Sequence, residues 1–328
     1  MKKYFENLKE PIKEYFDILS PEKPDFLEEY INTPEMQKQA GISVSCGTCY
    51  SKLFPEITLW YSSLDHSVAV ALIIWNFTKD KKQTLAGLFH DIATPAFKHV
   101  IDFLNGDYEK QESTEELTTK IISESKKIMS LLNRDGIKIE EINDYHKYPI
   151  ADNDTPMLSS DRLEYTLSNG FGVIKELWNL DEVKEIAEKF VKNMSILSKS
   201  YMDSKTKISM QLLADIIKKI YEQNLITKND LYNLSEKEIM EKIENYKYND
   251  IAQKFNEWRN TERAYESDTV VKNKYCKEIK TKRRYINPLI RDENNYTRIN
   301  QISKKAKEDI ESCLKFETKK YAYLDFEF

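Results

Sequence analysis

An adjacent histidine and aspartate, His90 and Asp91, end an apolar segment that Pro95 then interrupts. Imidazole nitrogen and carboxylate oxygen are both common ligands of divalent metal ions. The chain has only four histidines, and two of them, His90 and His99, lie in this stretch. The pair therefore indicates half of a metal site, and the other half must come from elsewhere in the chain.

Two other segments can supply the remaining ligands. His66 lies in an apolar segment upstream, and Asp161 lies in another segment downstream. This order of a histidine, a His-Asp pair and a distant aspartate resembles the HD-domain metal-dependent phosphohydrolases. The resemblance implies that His66, His90, Asp91 and Asp161 together hold one divalent ion.

Two imidazoles and two carboxylates leave positions on the ion open for water and substrate. A divalent ion can lower the pKa of its water to about 7 and polarise a phosphoryl oxygen, and phosphate-ester hydrolysis requires both effects. These ligands do not select among Mn, Fe, Co, Ni, Zn and Mg. We expect one ion, and His146 leaves open either a second metal site or a polar contact within a loop.

The residues after the His-Asp pair most resemble those of the deoxynucleotide triphosphohydrolases within this superfamily. Phe97 and His99 match that pattern, and Asp102 matches an acidic residue that supports catalysis in those enzymes. The resemblance implies that His99 and Asp102 form a supporting or acid–base pair and that Asp91 also orients the attacking water. The implied substrate is a nucleotide or deoxynucleotide, cleaved at a phosphate ester or anhydride.

Three positions depart from that pattern. Ser63, Thr94 and Gln111 stand where those enzymes have an arginine and two histidines. Because the neutral amide of Gln111 cannot donate a proton, another group must protonate the leaving oxygen. Glu112 is our candidate among the nearby carboxylates, and the alternative is a solvated helix N-terminus, where acidic side chains are favoured.

A phosphate clamp requires cations, and the densest basic run of the chain is Lys280–Arg284. This run faintly resembles the basic C-terminal segment that contacts the phosphates in triphosphohydrolases. Arg283 and Arg284 are candidates because guanidinium groups bind phosphate through paired hydrogen bonds, and the alternative is a solvated basic turn. Lys82 and Arg162 are further substrate-binding candidates because they lie near the metal ligands in sequence.

The composition predicts a mostly or all-α protein, because the 328 residues include only 7 glycines and 9 prolines. We predict an HD core over residues 63–175, a lead-in of short helices and loops over 1–62, and a helical C-terminal region over 176–328 that packs on the core. Aromatic residues alternate from 316 to 328, which predicts a short strand or a docking tail. Predicted helices of the core and the C-terminal region include 114–132, 181–201, 206–223, 235–243 and 248–265.

Charge and hydropathy argue against several classes of protein. The net charge of −5 gives no general attraction to nucleic acid, and the longest apolar run, Val68–Trp75, is too short to cross a bilayer. Without a signal-peptide pattern at its start, the sequence predicts a cytoplasmic protein with no membrane partner. Cys46 and Cys49 form a CxxC motif, which we interpret as an incidental reduced pair because no second CxxC accompanies it.

Two other functions stay open. Ser63, Thr94 and Gln111 favour a degenerate HD module that binds metal or nucleotide as a sensor or scaffold. A helical nucleic-acid-binding protein would use the Lys280–Arg284 run, although the acidic total counts against it. The expected partner is a small phosphorylated molecule, and the sequence leaves assembly into a homo-oligomer open.

Overall fold

The structure, a computed structural model, describes residues 3–107, 117–169, 183–245, 249–292 and 295–327. The fold is mostly helical, which confirms the predicted fold class. In the described residues, no helix has both the length and the apolar composition needed to cross a bilayer. The α-helices are α1 Ile12–Leu19, α2 Asp25–Ile31, α3 Pro34–Lys38, α4 Ser63–Thr78, α5 Lys81–Phe89, α6 Val100–Leu104, α7 Thr118–Glu124, α8 Lys126–Asp135, α9 Ser160–Ser168, α10 Val183–Met202, α11 Ser204–Glu222, α12 Lys228–Asn233, α13 Glu236–Glu244, α14 Asn249–Asn260, α15 Ile299–Ile302 and α16 Lys304–Leu314.

Short strands lie in the C-terminal half after α14, and helices α15 and α16 separate β4 from β5. β5 is the central strand of an antiparallel sheet with the order β1-β5-β2, and β3 pairs with β4 as an antiparallel ribbon. The alternating residues near the end of the chain therefore form a strand, which was one of the two predicted possibilities. The strands are β1 Tyr265–Ser267, β2 Tyr275–Lys277, β3 Leu289–Asp292, β4 Asn295–Arg298 and β5 Tyr321–Leu324.

Helix α4 lies in the predicted core region, and its residues 63–74 are all buried. Its N-terminus has a capping box, in which the Ser62 hydroxyl accepts from the Asp65 backbone N–H and the Asp65 carboxylate accepts from the Ser62 backbone N–H. Helix α5 lies close against α4 because Gly87 has no side chain: a Cβ there would lie 2.3 Å from Ile74 Cδ1. This close approach brings the end of α5 next to the start of α4.

Apolar packing crosses both predicted domain boundaries. The lead-in helices contribute Phe16 and Tyr30 to the same buried cluster as Leu72 of α4. A second buried cluster joins Phe97 of the predicted core region to Trp258 of α14. The predicted division into three regions stays a prediction, and both flanking regions contribute to the packing around the core.

The helix predicted over 114–132 is interrupted within its described part. Helices α7 and α8 meet at Ser125, whose backbone is extended, with ψ of 105°. The Ser125 hydroxyl accepts a hydrogen bond from the Ile128 N–H, so this residue caps α8. Side-chain capping by serine competes with continuation of a helix, which explains why hydrophobic periodicity alone missed the break.

Candidate metal centre

Three segments bring the side chains of His66, His90 and Asp161 together. His66 lies on α4, His90 directly follows α5, and Asp161 lies in the first turn of α9. The two Nε2 atoms are 3.1 Å apart, and Asp161 Oδ1 lies 3.2 Å from His66 Nε2 and 3.8 Å from His90 Nε2. Ligand atoms bonded to one metal ion at about 2.0 to 2.2 Å lie roughly 3 to 3.5 Å from one another. This donor set therefore fits a divalent ion.

Hydrogen bonds fix which nitrogen of each histidine faces the site. His90 Nδ1 donates to the Gly87 carbonyl over 2.7 Å, and His66 Nδ1 donates to the Glu164 carboxylate. A hydrogen-bonded Nδ1–H leaves Nε2 as the nitrogen that can bind metal. Both rings are therefore oriented before any ion arrives.

Asp91, the fourth ligand that the resemblance implies, lies at the edge of this group. Its Oδ2 is 3.8 Å from His66 Nε2 and 3.9 Å from His90 Nε2. The same oxygen accepts a 2.7 Å hydrogen bond from the Lys98 ammonium. Asp91 thus faces the histidines while it forms an ion pair with a lysine.

Glu164 is a supporting residue that the sequence analysis missed. Its side chain is fully buried, and besides His66 it accepts hydrogen bonds from the hydroxyls of Tyr61 at 2.6 Å and Tyr15 at 3.3 Å. It follows Asp161 by three residues on α9, so both carboxylates share one helix face. The spacing Asp161-x-x-Glu164 was the available signal.

Charges in the site shift the pKa values of its groups. Burial alone would lower the pKa of His66, but Glu164 and Asp161 outweigh it and raise that pKa to about 10. Burial alone would raise the pKa of Asp161, but the hydrogen bond and charge of His66 lower it to about 2. The pKa of Asp91 is held well below its usual range because Lys98 and the two histidines outweigh burial. The carboxylates are therefore ionised, and an ion binding at His66 must displace a proton.

His99 and Asp102 form the pair that the resemblance implies. His99 Nδ1 lies 2.8 Å from Asp102 Oδ2, and the Asp102 side chain is fully buried. Burial and the nearby charges of Arg284 and Lys98 lower the pKa of His99, while Asp102 opposes them. His99 is therefore a mostly neutral imidazole near pH 7 with a fixed orientation.

A cavity of about 430 Å³ connects these groups. His66, His90, Asp91 and Asp161 line it, as does His99. The remaining lining residues include cations, aromatic rings and aliphatic groups contributed by the lead-in, the core and the C-terminal half; among them are Phe54, Ile57, Lys98, Tyr145, Tyr165, Leu197, Tyr201, Met210, Lys282 and Arg284.

The basic residues predicted to bind substrate lie in different places. Arg284 and Arg162 line the cavity. Arg162 is also an anchor for its own loop, since it donates to the Met157 carbonyl at 2.7 Å. Arg283 departs from the prediction because its guanidinium donates to the carbonyls of Leu314, the last residue of α16, and of Phe316. Lys82 departs from it too, because its ammonium pairs with Glu141 and does not line the cavity. Glu112 lies outside the described residues.

The other motifs singled out in the sequence also border the site. His146 lines the cavity, with Nδ1 3.1 Å from Asp144 Oδ1 and Nε2 3.5 Å from Asp152 Oδ2. Cys46 lines it as a free cysteine, and burial raises the pKa of its thiol to about 11. A thiol with this pKa is protonated near pH 7, which disfavours metal ligation and disulfide exchange.

Replacing Glu164 by Gln is expected to weaken metal binding about 10- to 100-fold, the usual effect of losing an outer-shell partner of a histidine ligand. The amide has no charge with which to hold the His66 Nδ1–H. Titration of the metal-free protein with a divalent ion, against a competing chelator, would measure the loss. Tyr61→Phe keeps the carboxylate and serves as the control, with a smaller expected loss. An affinity unchanged in Glu164→Gln would contradict the supporting role.

Residues 63–166 match the HD domain family, so the chain contains an HD domain. Two curated relatives align with somewhat less than half of the chain. One is the uncharacterised protein YdhJ of Bacillus subtilis, 28% identical over 142 residues, which are 43% of this chain and 42% of that protein. The other is the metal-dependent phosphohydrolase cns2 of Cordyceps militaris, 25% identical over 146 residues, which are 43% of this chain and 39% of that protein.

A solved structure extends the likeness to almost the whole fold. A hypothetical protein from Aquifex aeolicus superimposes with a TM-score of 0.59 at 17% identity and covers 92% of this chain and 93% of its own. At that identity the likeness concerns the fold alone. The particular nearness to deoxynucleotide triphosphohydrolases stays a prediction.

Proposed function

We propose that this protein is a metal-dependent phosphohydrolase that cleaves a phosphate ester or anhydride of a small molecule, with a nucleotide as substrate. The observation that carries the proposal is the convergence of His66, His90 and Asp161 in the wall of a cavity that also contains cationic side chains. The printed name of the Cordyceps militaris relative supports the same reaction class.

In this proposal His66, His90, Asp91 and Asp161 hold one divalent ion. The ion would supply activation of a water molecule and polarisation of a phosphoryl oxygen. Glu164 and the Gly87 carbonyl keep the two imidazole rings oriented. The ionised carboxylates supply negative charge that favours a divalent cation over a neutral occupant.

His99 is the proposed proton-transfer group. Asp102 holds its Nδ1, so Nε2 is free to exchange a proton with substrate or water in the cavity. Its pKa, lowered from 6.5, leaves the neutral imidazole predominant near pH 7, as a general base requires. The imidazolium formed in this step can then protonate the leaving oxygen, and Glu112 is the other candidate acid.

The composition of the cavity supports a phosphorylated organic substrate. Lys98, Lys282 and Arg284 offer positive charge to phosphate, and Tyr165 and Tyr201 offer rings to an organic group. The volume of about 430 Å³ lies within the range of about 300 to 1,000 Å³ that is common for small-molecule sites. A nucleotide combines the anionic and flat aromatic parts that such a site would accept.

The test measures the phosphate products released by protein that has been stripped of metal and reloaded separately with Mn, Fe, Co, Ni, Zn or Mg. Substrates would be nucleoside mono-, di- and triphosphates, their deoxy forms and an aryl phosphate, with phosphate, pyrophosphate and triphosphate measured separately. We expect turnover of at least one nucleotide in at least one metal form, and the released product identifies the bond that breaks. Metal binding without any turnover would reject the hydrolase in favour of a sensor or scaffold.

A further inference from the structure

Lys98 differs from the other cationic residues of the cavity because it also pairs with Asp91 at the candidate metal centre. Its ammonium lies 2.7 Å from Asp91 Oδ2, and only 11% of its side chain is exposed. It lines the cavity beside His66 and His90. A buried lysine placed against a metal-binding carboxylate requires an explanation, because it adds positive charge where a divalent cation is expected.

The backbone at Lys98 has an unfavourable conformation. Phe97 and Lys98 both have left-handed backbone angles, with φ of +66° and +46°, which cost residues other than glycine about 1 kcal/mol or more each. The arrangement is held by the buried Phe97 ring and by a 3.1 Å hydrogen bond from the Phe97 N–H to Glu236 of α13. Strained backbone that the surrounding structure holds in place is concentrated at functional sites.

The ion and the lysine need the same oxygen atom. Asp91 Oδ2, which Lys98 holds, is also the oxygen that faces both histidine Nε2 atoms, at 3.8 and 3.9 Å. Lys98 therefore neutralises Asp91 when the ion is absent and competes with the ion for that carboxylate. Once an ion takes the oxygen, the ammonium has three donors to offer to the cavity, where Arg284 adds a second cationic side chain.

We propose that Lys98 is an internal counter-cation that gives up Asp91 when metal binds and then binds the phosphoryl group of the substrate. This inference rests on the proposed function. It couples the two binding events, since metal uptake releases the cation that recognises phosphate. The coupling restricts tight phosphate binding to the metal-loaded protein.

The test measures two affinities in Lys98→Met and Lys98→Gln. Metal affinity is titrated without substrate, and the affinity for inorganic phosphate is then measured by equilibrium dialysis of the metal-loaded protein. We expect tighter metal binding, because the competing cation is gone, and phosphate binding weakened about 10-fold or more, as loss of a charge-assisted hydrogen bond implies. Opposite changes in the two affinities would not result from general damage to the site.

Two further variants complete the design. Lys98→Arg keeps the charge and should restore most of the phosphate affinity. Lys254→Met is the matched control, because Lys254 pairs with Glu257 at 2.9 Å and does not line the cavity, so both affinities should stay at the wild-type values. Thermal unfolding of each variant, with and without metal, checks its fold, and the Gln variant keeps hydrogen-bonding capacity at 98 if the Met variant does not fold.

The measurements distinguish a failure of the Lys98 inference from a failure of the proposed function. Weaker or unchanged metal binding in both neutral variants would overturn the counter-cation role, and unchanged phosphate affinity would overturn the phosphate-binding role. If the wild-type protein binds metal and hydrolyses substrate while the variants match it, only the inference about Lys98 is wrong. A wild-type protein that binds no metal would overturn this inference and the proposed function together.

Discussion

Replacing Asp161 by Asn is expected to abolish tight metal binding and to lower turnover about 1,000-fold or more. Asp161 Oδ1 lies 3.2 Å from His66 Nε2 and is the carboxylate oxygen of the compact donor set. An amide oxygen of similar shape has no charge, and a metal ion supplies several kcal/mol of transition-state stabilisation, where each 1.4 kcal/mol is about tenfold in rate. Phosphate release under saturating metal would measure the loss.

A matched variant separates this effect from the general removal of a carboxylate. Asp80 caps α5, the helix that precedes His90, and accepts from the Lys82 and Gln83 N–H groups at 2.8 and 3.0 Å. Asparagine is an equally good N-cap, so Asp80→Asn makes the same charge change and keeps the helix end satisfied. Equal losses in Asp80→Asn and Asp161→Asn would show that the loss does not come from a metal ligand.

The second large effect is expected for Asp102→Asn, with turnover reduced about 100- to 10,000-fold and metal binding retained. Asp102 is buried and holds His99 Nδ1, and it is not part of the metal donor set. Burial and the charges of Arg284 and Lys98 lower the pKa of His99, while Asp102 raises it. Removing that carboxylate should therefore lower the pKa further, and the acidic limb of the rate profile should move to lower pH.

A double-variant cycle tests whether Asp102 acts through His99. If the aspartate only orients and polarises the imidazole, His99→Ala and the combined variant should be equally slow, because the two changes remove one function. Additive losses in the combined variant would mean that Asp102 acts separately. Loss of metal from Asp102→Asn would mean that it supports the ion rather than proton transfer.

The sequence was sufficient to predict which residues come together at the candidate metal centre. His66, His90 and Asp161 lie on apolar segments that were predicted to be helical, and the order of the motif supplied the resemblance that implied one ion. Glu164 was missed because a lone glutamate on a helix is usually solvent-exposed. Its burial depends on Tyr61 and Tyr15, which reach it from parts of the chain about 100 and 150 residues away.

The basic residues were the hardest to assign from sequence. Adjacent residues in an irregular segment point in different directions, so Arg284 lines the cavity while Arg283 donates to carbonyls at the C-terminal end of α16. The number of basic residues in a run does not indicate where each side chain points. Lys98 was not among the predicted substrate-binding residues, because its position depends on left-handed backbone angles that nothing in the local residue types predicts.

The metal content of the purified protein tests the central claim most directly. Elemental analysis of the wild-type protein beside Asp161→Asn, both purified without chelators, measures divalent ions per chain. The predicted result is close to one ion per wild-type chain and a large loss in the variant. No metal in the wild-type protein after reloading, or the same content in both proteins, would contradict a metal centre at His66, His90 and Asp161.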